Sequence, residues 1–259
     1  MGKSFWTNIQ HINNGNKMLK KFISIIVISL ITLVSGCASV DNRDPLEGLN
    51  RGVYKFNDVS DKAVFKPIAG AYKAVLPPPV RGGVNNFFLN LKTFVTAINQ
   101  ALQFKFNKAA ESAGRFVINS TVGIAGLFDV ASTQGIPQYK EDFGQTLGYW
   151  GVGNGAYLML PFFGASTVRD TAGLVADSMT IDPLAYVDDP RTRNILTGTR
   201  FIDKRAELLP GSDLLDEAAL DPYSFMRDAY LQRRANQVAD GVVTINYNGF
   251  EPDNSIKSK

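Results

Sequence analysis

The sequence predicts a mostly α-helical protein with a single domain. Apolar residues recur at steps of three and four along several segments, a spacing that places them on one face of a helix. Several of these segments begin with Asp or Pro, which favour the first turn of a helix. The part of the chain expected to remain after export has 223 residues, a length that suits one well-buried domain.

The first predicted helix runs from Asp44 to about Val64. Asp44 is expected to cap it, Pro45 to fit its first turn, and Glu47 to favour the positive end of the helix dipole. The apolar face of this helix comprises Leu49, Val53 and Phe56.

Prolines interrupt the next stretch. Pro67 and the run at 77–79 restrict the backbone, so segment 68–76 is expected to be at most a short helix before a stiff, extended elbow. A long amphipathic helix is predicted after the elbow, and another over 109–120. The apolar positions of the long helix are Phe87, Leu91, Phe94, Val95, Ile98, Leu102 and Phe106, and the polar residues on its other faces are Asn90, Lys92, Asn99 and Gln103.

The second half of the chain alternates irregular and helical segments. Segment 123–128 is small and apolar, and an irregular stretch begins at 135–137. Segment 143–164 is rich in glycine, aromatic and aliphatic residues, but Pro161 and the glycines exclude a single spanning helix. Further helices are predicted over 166–177, 190–208 and 221–239. The apolar stripes face one another in a core, or some of them lie in lipid as interfacial helices do.

The N-terminus has the three parts of a secretory signal in order. Three lysines between positions 17 and 21 form a positive flank, and the apolar core over 22–34 is shorter than the roughly 20 residues of a transmembrane helix. Small residues then lead into Cys37, as in a bacterial lipobox. We expect cleavage between Gly36 and Cys37 and acylation of Cys37 by N-acyl and S-diacylglycerol groups. A buried thiol at this position would leave the charged flank and the apolar core unexplained.

The expected location is the periplasmic face of the outer membrane. Ala38 and Ser39 follow the cysteine, whereas an Asp there retains enterobacterial lipoproteins at the inner membrane. The expected organisation is therefore a signal peptide at 1–36, a tether at 37–43, one domain at 44–245 and a disordered polar tail at 246–259.

Charge and composition exclude several classes of protein. Removal of residues 1–36 takes away four lysines and no acidic residue, so the net charge of +3 becomes −1 and gives no reason to expect nucleic acid. The only histidine and the only cysteine are His11 and Cys37. Without them the mature domain has no histidine base, no thiolate nucleophile and no disulfide. We expect no metal and no cofactor.

Two other motifs have simpler explanations. The acidic pairs Asp188–Asp189 and Asp41 with Asp44 lie beside Pro or Arg, where turn and cap formation is the simpler role. The glycine-rich run at 151–155 lacks the Gly-Lys-Ser/Thr ending of a phosphate-binding loop.

Five motifs in order along the chain resemble those of the MlaA (VacJ) lipoproteins. Together they cover about 44–239. One departure is at 155–157, which reads Gly-Ala-Tyr where the family usually has Gly-Pro-Tyr. The matching runs are DPLEGLNR at 44–51 with Tyr54, Phe56 and Asn57 after it, VRGGVNNF at 80–87, RFVINSTVG at 115–123, EDFGQTLG at 141–148, and LPFFG at 160–164 closing on Arg169 and Asp170.

The resemblance implies a helical ring embedded in one leaflet of the outer membrane, with an amphipathic central channel. Such a protein removes mislocalised phospholipid from the outer leaflet and passes it to an MlaC-like periplasmic carrier, in association with a trimeric porin. Polar residues and occasional arginines are expected to line the channel. The candidates for phospholipid contact are Asn119, Ser120, Thr121, Gln145, Thr146, Arg81, Arg115 and Arg169.

These candidates have structural alternatives. The polar residues could serve as caps and turns, and the arginines could form surface salt bridges instead of meeting a lipid phosphate. The resemblance also implies that the loop at 132–142 controls channel opening, with a possible hinge between Gly135 and Pro137, and that Phe56 and Asn57 form a second sensitive region.

Two other functions compete with transport. A membrane-lipid esterase would need a Ser or Asp paired with Lys, because no histidine and no Gly-x-Ser-x-Gly motif is present. We therefore expect no enzyme. A structural lipoprotein that helps to assemble porins is the second alternative, and it predicts no lipid defect when the protein is deleted.

Overall fold

A computed structural model of the protein describes residues 44–218 and 220–241. The predicted signal peptide, Cys37, the tether and the tail at 246–259 lie outside the described residues. The described chain is mostly helical and includes one two-stranded antiparallel hairpin. The prediction of a mostly helical domain is therefore confirmed.

The elements follow one another with short connections. In chain order they are α1 (Glu47–Ser60), a first π-helical turn (Asp61–Phe65), α2 (Lys66–Val75), α3 (Pro78–Leu102), α4 (Phe106–Thr121), α5 (Val130–Thr133), α6 (Phe143–Tyr149), β1 (Tyr157–Leu160), β2 (Gly164–Thr167), α7 (Val168–Ala176), a second π-helical turn (Asp177–Ile181), a 3₁₀ turn (Pro183–Tyr186), α8 (Pro190–Ala218) and α9 (Pro222–Val238).

The predicted cap of the first helix is wrong. Residue Leu46 precedes α1 without a side-chain cap, and Asp44 is buried instead. Its carboxylate accepts a hydrogen bond from Asn50 Nδ2 at 2.8 Å and another from the hydroxyl of Tyr223 in α9. The side chain of Asp44 therefore links α1 to α9 instead of capping α1.

The proline run forms less of an elbow than predicted. Of the three prolines only Pro77 is extended, with ψ of 149°, and the next two lie in the first turn of α3. Their lack of an N–H is no cost there, because first-turn amides have no partner within the helix. The long predicted stripe also ends early. The chain turns at Phe104, with φ of 60°, so Phe106 begins α4.

The polar face of α3 is the face that lies inside the protein. Asn90, Thr93, Asn99 and Gln100 are buried, whereas of the predicted apolar positions only Val95 is. The sequence left open whether the apolar stripes face a core or lie in lipid, and the burial of Asn90 and Asn99 shows that the polar side of α3 faces inward. The surrounding elements present hydrogen-bonding groups to α3, and these groups require polar partners.

The hairpin was not predicted. Tyr157 pairs with Thr167, and Leu160 pairs with Gly164 across the turn. Phe162 in that turn and Gly164 at the start of β2 have φ of 64° and 82°. The sequence of β1 is YLML, in which every residue is apolar. It therefore lacks the alternation of polar and apolar residues by which a strand is recognised in a sequence.

Polar side chains dominate the interior of the described residues, and apolar ones dominate parts of their surface. The largest buried apolar cluster is small and consists of Tyr157, Met159, Tyr223 and Leu231. Many large apolar side chains are exposed, among them Phe163 at 72% and Val122 at 67%. No helix of segments 44–218 and 220–241 combines the length and apolar character needed to cross a membrane.

Candidate functional site

The candidate site is built on the polar face of α3. Asn85, Lys92 and Asn99 are spaced by seven residues, and Gln103 follows one turn later. Seven residues are close to two helical turns, so these side chains lie on one line, at intervals of about 10 Å. The two ends of this line contact different elements.

The N-terminal end of the line contacts α8. Asn85 Nδ2 donates to Asp203 Oδ2 at 3.1 Å and to Glu207 Oε1 at 2.6 Å. The hydroxyl of Tyr72 in α2 donates to Asp203 Oδ1 at 2.8 Å. Burial, together with this hydrogen bond to a carboxylate, raises the pKa of Tyr72 well above its usual value, so the phenol stays protonated. These contacts hold α2, α3 and α8 together.

The C-terminal end of the line contacts α6 and the second π turn. Asn99 Nδ2 donates to Asp177 Oδ1 at 3.1 Å, and the hydroxyl of Thr146 donates to Asn99 Oδ1 at 2.8 Å. The second oxygen of Asp177 accepts from the backbone N–H of Phe143 at 2.8 Å. Thr146, a predicted channel residue, is fully buried in this network.

Glu141 extends the same network. Its Oε2 accepts from Gln103 Nε2 at 3.1 Å, and Lys105 Nζ lies 3.5 Å from its Oε1. Burial raises the pKa of Glu141, although the hydrogen bond from Gln103 and the charge of Lys105 oppose the rise. Burial likewise raises the pKa of Asp177. Two carboxyl groups with raised pKa values thus border the site.

Asp142 behaves in the opposite way. Its carboxylate binds Arg234 of α9 at 2.5 and 2.7 Å and accepts from Gln145, a predicted channel residue, at 3.0 and 3.1 Å. Burial disfavours the carboxylate, but the hydrogen bonds and charge of Arg234 outweigh it and lower the pKa of Asp142 to about 2. Gln145 also donates to the carbonyl of Lys140 at 3.1 Å, which fixes the end of the 132–142 loop.

Arg169 joins the network through its neighbour in sequence. Its guanidinium donates twice to Asp170 Oδ1, at 2.8 and 2.9 Å. The other oxygen of Asp170 lies 3.0 Å from Arg234 Nε and accepts from the hydroxyl of Tyr230 at 2.7 Å. The structure therefore brings Gln145, Thr146 and Arg169 together, in the buried junction of α6, α7 and α9.

Arg115 and Asn119 form a separate cluster. Arg115 donates to Asp129 Oδ2 at 2.5 Å and to the carbonyl of Ile136 at 2.7 Å, and Asn119 Nδ2 donates to Asp129 Oδ1 at 3.0 Å. Burial disfavours the carboxylate of Asp129, but hydrogen bonds from Ser132 and Asn119 outweigh it and lower the pKa. The cluster holds α5 and the first part of the 132–142 loop against α4.

The remaining predicted residues of the 119–121 run and of the 132–142 loop do not join this cluster. Ser120 accepts from Asn90 Nδ2 at 2.8 Å, whereas Thr121 is exposed and donates to the carbonyl of Val117 in its own helix. Gly135 ends α5 in the left-handed region, with φ of 73°, and Pro137 follows it two residues later. These residues therefore face different directions, not one shared surface.

Phe56 and Asn57 contact the hairpin. Asn57 Nδ2 donates to the carbonyl of Leu160 at 2.9 Å, and its Oδ1 accepts from the N–H of Phe162 at 2.8 Å. The rings of Phe56 and Phe162 meet edge to face with centroids 5.3 Å apart. Asn50, two turns earlier in α1, makes the equivalent pair of bonds to β1, at 3.0 Å and 2.8 Å.

The two basic residues of α3 have no carboxylate partner among the described residues. Neither Arg81 nor Lys92 makes a side-chain hydrogen bond or ion pair with the described part of the chain, and Arg81 Nε is buried without a partner. Eleven residues separate them, so both lie near the same face. Of the three predicted phosphate-contacting arginines, Arg81 alone keeps its guanidinium free of protein carboxylates.

Lys92 is the functional candidate that the apolar stripe hid. Its side chain is exposed, yet the surrounding protein lowers its pKa by desolvation, with Lys204 and Lys140 adding to the effect and Asp142 and Asp177 opposing it. The seven-residue recurrence of polar side chains at 85, 92 and 99 is the sequence signal that could have identified it.

The chain is similar to known proteins over most of its length. The family model described as MlaA lipoprotein matches residues 42–237. The chain is 37% identical over 204 residues to an uncharacterized protein of Rickettsia felis, which covers 79% of this chain and 80% of that protein. It is also 37% identical over 214 residues to the Escherichia coli K12 protein named intermembrane phospholipid transport system lipoprotein MlaA, covering 78% and 83%.

A solved structure has the same fold. It was described under the words "Structural basis for maintenance of bacterial outer membrane lipid asymmetry", and it matches with a TM-score of 0.67 at 35% sequence identity. The match covers 75% of this chain and 98% of the solved one.

Proposed function

This chain belongs to the MlaA lipoprotein family, and from that premise we propose that it moves phospholipid between membranes and so maintains the lipid asymmetry of the outer membrane. More specifically, it removes mislocalised phospholipid from the outer leaflet through a polar opening and passes it to a periplasmic carrier.

The inverted distribution of side chains carries this proposal. The interior around α3 is polar and hydrogen-bonded, whereas large apolar side chains such as Phe128 and Phe163 are exposed. A lipid-embedded protein needs apolar groups outside, and a path for a headgroup needs polar groups inside.

The predicted channel residues divide into two roles in this proposal. Arg81 and the exposed part of the α3 face contact the passing lipid. The buried and partly buried residues hold the walls in place through the ion pairs and hydrogen bonds described above. These wall residues are Arg115, Asn119, Ser120, Gln145, Thr146 and Arg169, and Thr121 lies outside the wall on the exposed side of α4.

The loop at 132–142 is proposed to control access. It begins at the Arg115–Asp129 cluster and ends at Asp142, which Arg234 holds. Both ends are thus fixed by partly buried ion pairs, and Gly135 and Pro137 lie between them. A segment fixed at both ends with a left-handed glycine within it can change conformation without disturbing its anchors.

Attachment to the membrane is assigned to the N-terminus. We propose that residues 1–36 are removed, that Cys37 carries the acyl groups, and that 37–43 tether the domain at 44–245 to the periplasmic face of the outer membrane, with 246–259 as a polar tail. An MlaC-like carrier and a trimeric porin are the proposed partners.

The test is deletion of the gene followed by complementation. Loss of the protein is expected to expose phospholipid at the cell surface to added phospholipase and to raise detergent sensitivity, and wild type is expected to restore both. Cys37→Ala is expected to fold but not to restore them, because the domain is misplaced.

Unchanged surface phospholipid combined with a loss of porin trimers would reject transport in favour of the structural role. Release of fatty acid from phospholipid by the purified protein would show that the protein is an enzyme, contrary to our expectation.

A further inference from the structure

We propose, building on the proposed function, that Lys92 binds the phosphate group of the phospholipid as it passes through the protein. Lys92 lies on α3 between a contact to α8 at one end and a contact to α6 and the second π turn at the other. The ligand class is a phosphodiester that carries acyl chains.

The position of Lys92 follows from helix geometry. Asn85 contacts α8, and Asn99 contacts Asp177 of the second π turn. Lys92 is midway between them, about 10 Å from each along the axis and on the same line. The two contacting elements close against α3 on either side of Lys92, and at Lys92 itself the side chain is exposed. The polar face of α3 therefore opens at this residue.

The ammonium of Lys92 is available to an anion. Asp142 is bound by Arg234, and Asp177 is occupied by Asn99 and a backbone N–H, so neither carboxylate forms an ion pair with Lys92. Lys204 of α8, which pairs with Glu207 at 2.7 Å, and Lys140 of the 132–142 loop also act on the charge of Lys92, and Asp142 and Asp177 oppose them. Because no carboxylate is paired with the ammonium of Lys92 itself, an entering anion can form that contact.

Phosphate is the anion that suits both the site and its surroundings. The exposed surface of the protein suits acyl chains, and every phospholipid carries a phosphate next to its acyl-bearing glycerol. A lysine ammonium binds phosphate as a point charge and tolerates several orientations of the rest of the headgroup. Contact at the phosphate would thus let lipids with different headgroups pass the same residue.

The first experiment uses the wild-type lipoprotein in micelles of an uncharged detergent. Three conditions are compared. The micelles contain phosphatidylglycerol in the first and diacylglycerol with the same acyl chains in the second, and in the third inorganic phosphate is added at an equal concentration to micelles without lipid. Acetic anhydride then labels accessible amines, and mass spectrometry measures labelling at Lys92 and at the exposed Lys62. Phosphatidylglycerol is expected to slow labelling of Lys92 at least threefold, with no change at Lys62. Equal protection by diacylglycerol or by inorganic phosphate would overturn the proposal.

The second experiment measures retention of phosphatidylglycerol by variants in the same micelles. Lys92→Met is expected to weaken retention roughly tenfold, because a charge-assisted bond is lost, while Lys92→Arg keeps it. Lys62→Met is the matched control and is expected to behave as wild type. Lys92→Met should fold normally, since the side chain makes no bond to the described residues. Unchanged retention by Lys92→Met rejects the role of Lys92 alone, whereas wild-type protein that retains no phospholipid rejects the proposed function itself.

Discussion

Two asparagines of α1 act as backbone partners for the hairpin. Asn50 and Asn57 each use both amide atoms, one as donor and one as acceptor, on consecutive peptide groups of β1 and its turn. Their spacing of seven residues places both on the face of α1 that meets the strand. A side chain amide can in this way replace the neighbouring strand that the edge of β1 lacks.

Asn50→Ala should destabilise the protein by roughly 2–4 kcal/mol, because it leaves two buried backbone groups of β1 without partners. Chemical denaturation in detergent, followed by circular dichroism, measures this loss. Asn107→Ala removes an asparagine that is exposed in α4 and should change stability by less than about 0.5 kcal/mol. Equal effects of the two substitutions would contradict the role of Asn50.

The ion pair of Asp142 and Arg234 predicts a dependence of stability on pH. The folded-state pKa of Asp142 is about 2, below its unfolded value of about 3.9, so its contribution is complete above about pH 5 and is lost as the pH falls towards 2. The free-energy difference between wild type and Asp142→Asn should therefore be constant above pH 5 and shrink below pH 4. Asp188→Asn, at an exposed carboxylate, should show no such change. A difference that stays constant down to pH 2.5 would argue against the pair.

At the scale of elements, α6 and α7 are held at backbone contact by two glycines. A Cβ added to Gly173 would lie 2.3 Å from the backbone nitrogen of Gly144. No side chain lies between these backbones, and the buried pair Asp170 and Arg234 packs beside them. Close packing of the two helix backbones therefore explains why the EDFGQTLG motif has a glycine at position 144.

Gly173→Ala should destabilise the protein by about 1–3 kcal/mol, because two helix backbones must separate to admit one methyl group. Gly114→Ala is the matched substitution in α4, where an added Cβ meets nothing within 4 Å, and it should stabilise by up to about 1 kcal/mol through helix propensity. Thermal unfolding of both variants measures the difference. A neutral Gly173→Ala would mean that α6 and α7 are not in close contact.

The sequence predicted elements better than it predicted their orientation. The steps of three and four located α3, and the helix predicted over 221–239 is α9, which Asp221 caps. The same pattern could not predict which face of α3 is inside. Amphipathicity separates polar from apolar residues, but it does not show which of the two faces contacts water, lipid or the protein interior. The hairpin was missed because YLML has no alternation, and its pairing depends on Asn50 and Asn57 in a distant helix.

At the scale of the molecule, the exposed apolar residues have a direct consequence for membrane binding. The turn after α4 exposes Val122, Ile124 and Phe128 together. If this turn lies in lipid, a charged side chain placed there must lose its hydration when the protein enters the membrane, which costs free energy. The same substitution leaves the polar interior of the protein unchanged.

Val122→Glu should therefore leave stability in detergent within about 0.5 kcal/mol of wild type, and should reduce binding of the protein to phospholipid vesicles at least tenfold in a flotation assay. Gln134→Glu adds the same charge at an exposed polar position and should not alter binding. Normal flotation of Val122→Glu would place this turn outside the membrane.

The sequence by itself determined the helical class and the family, because helical periodicity and short motifs are local properties of the chain. It also fixed the expectation of a lipid anchor at Cys37. Only the tertiary structure decided that the polar face of α3 is internal, that Gln145, Thr146 and Arg169 share one buried network, and that Arg81 and Lys92 remain without carboxylate partners. Those facts depend on which distant elements meet α3, and burial and charge pairing are set by contacts between residues far apart in the chain.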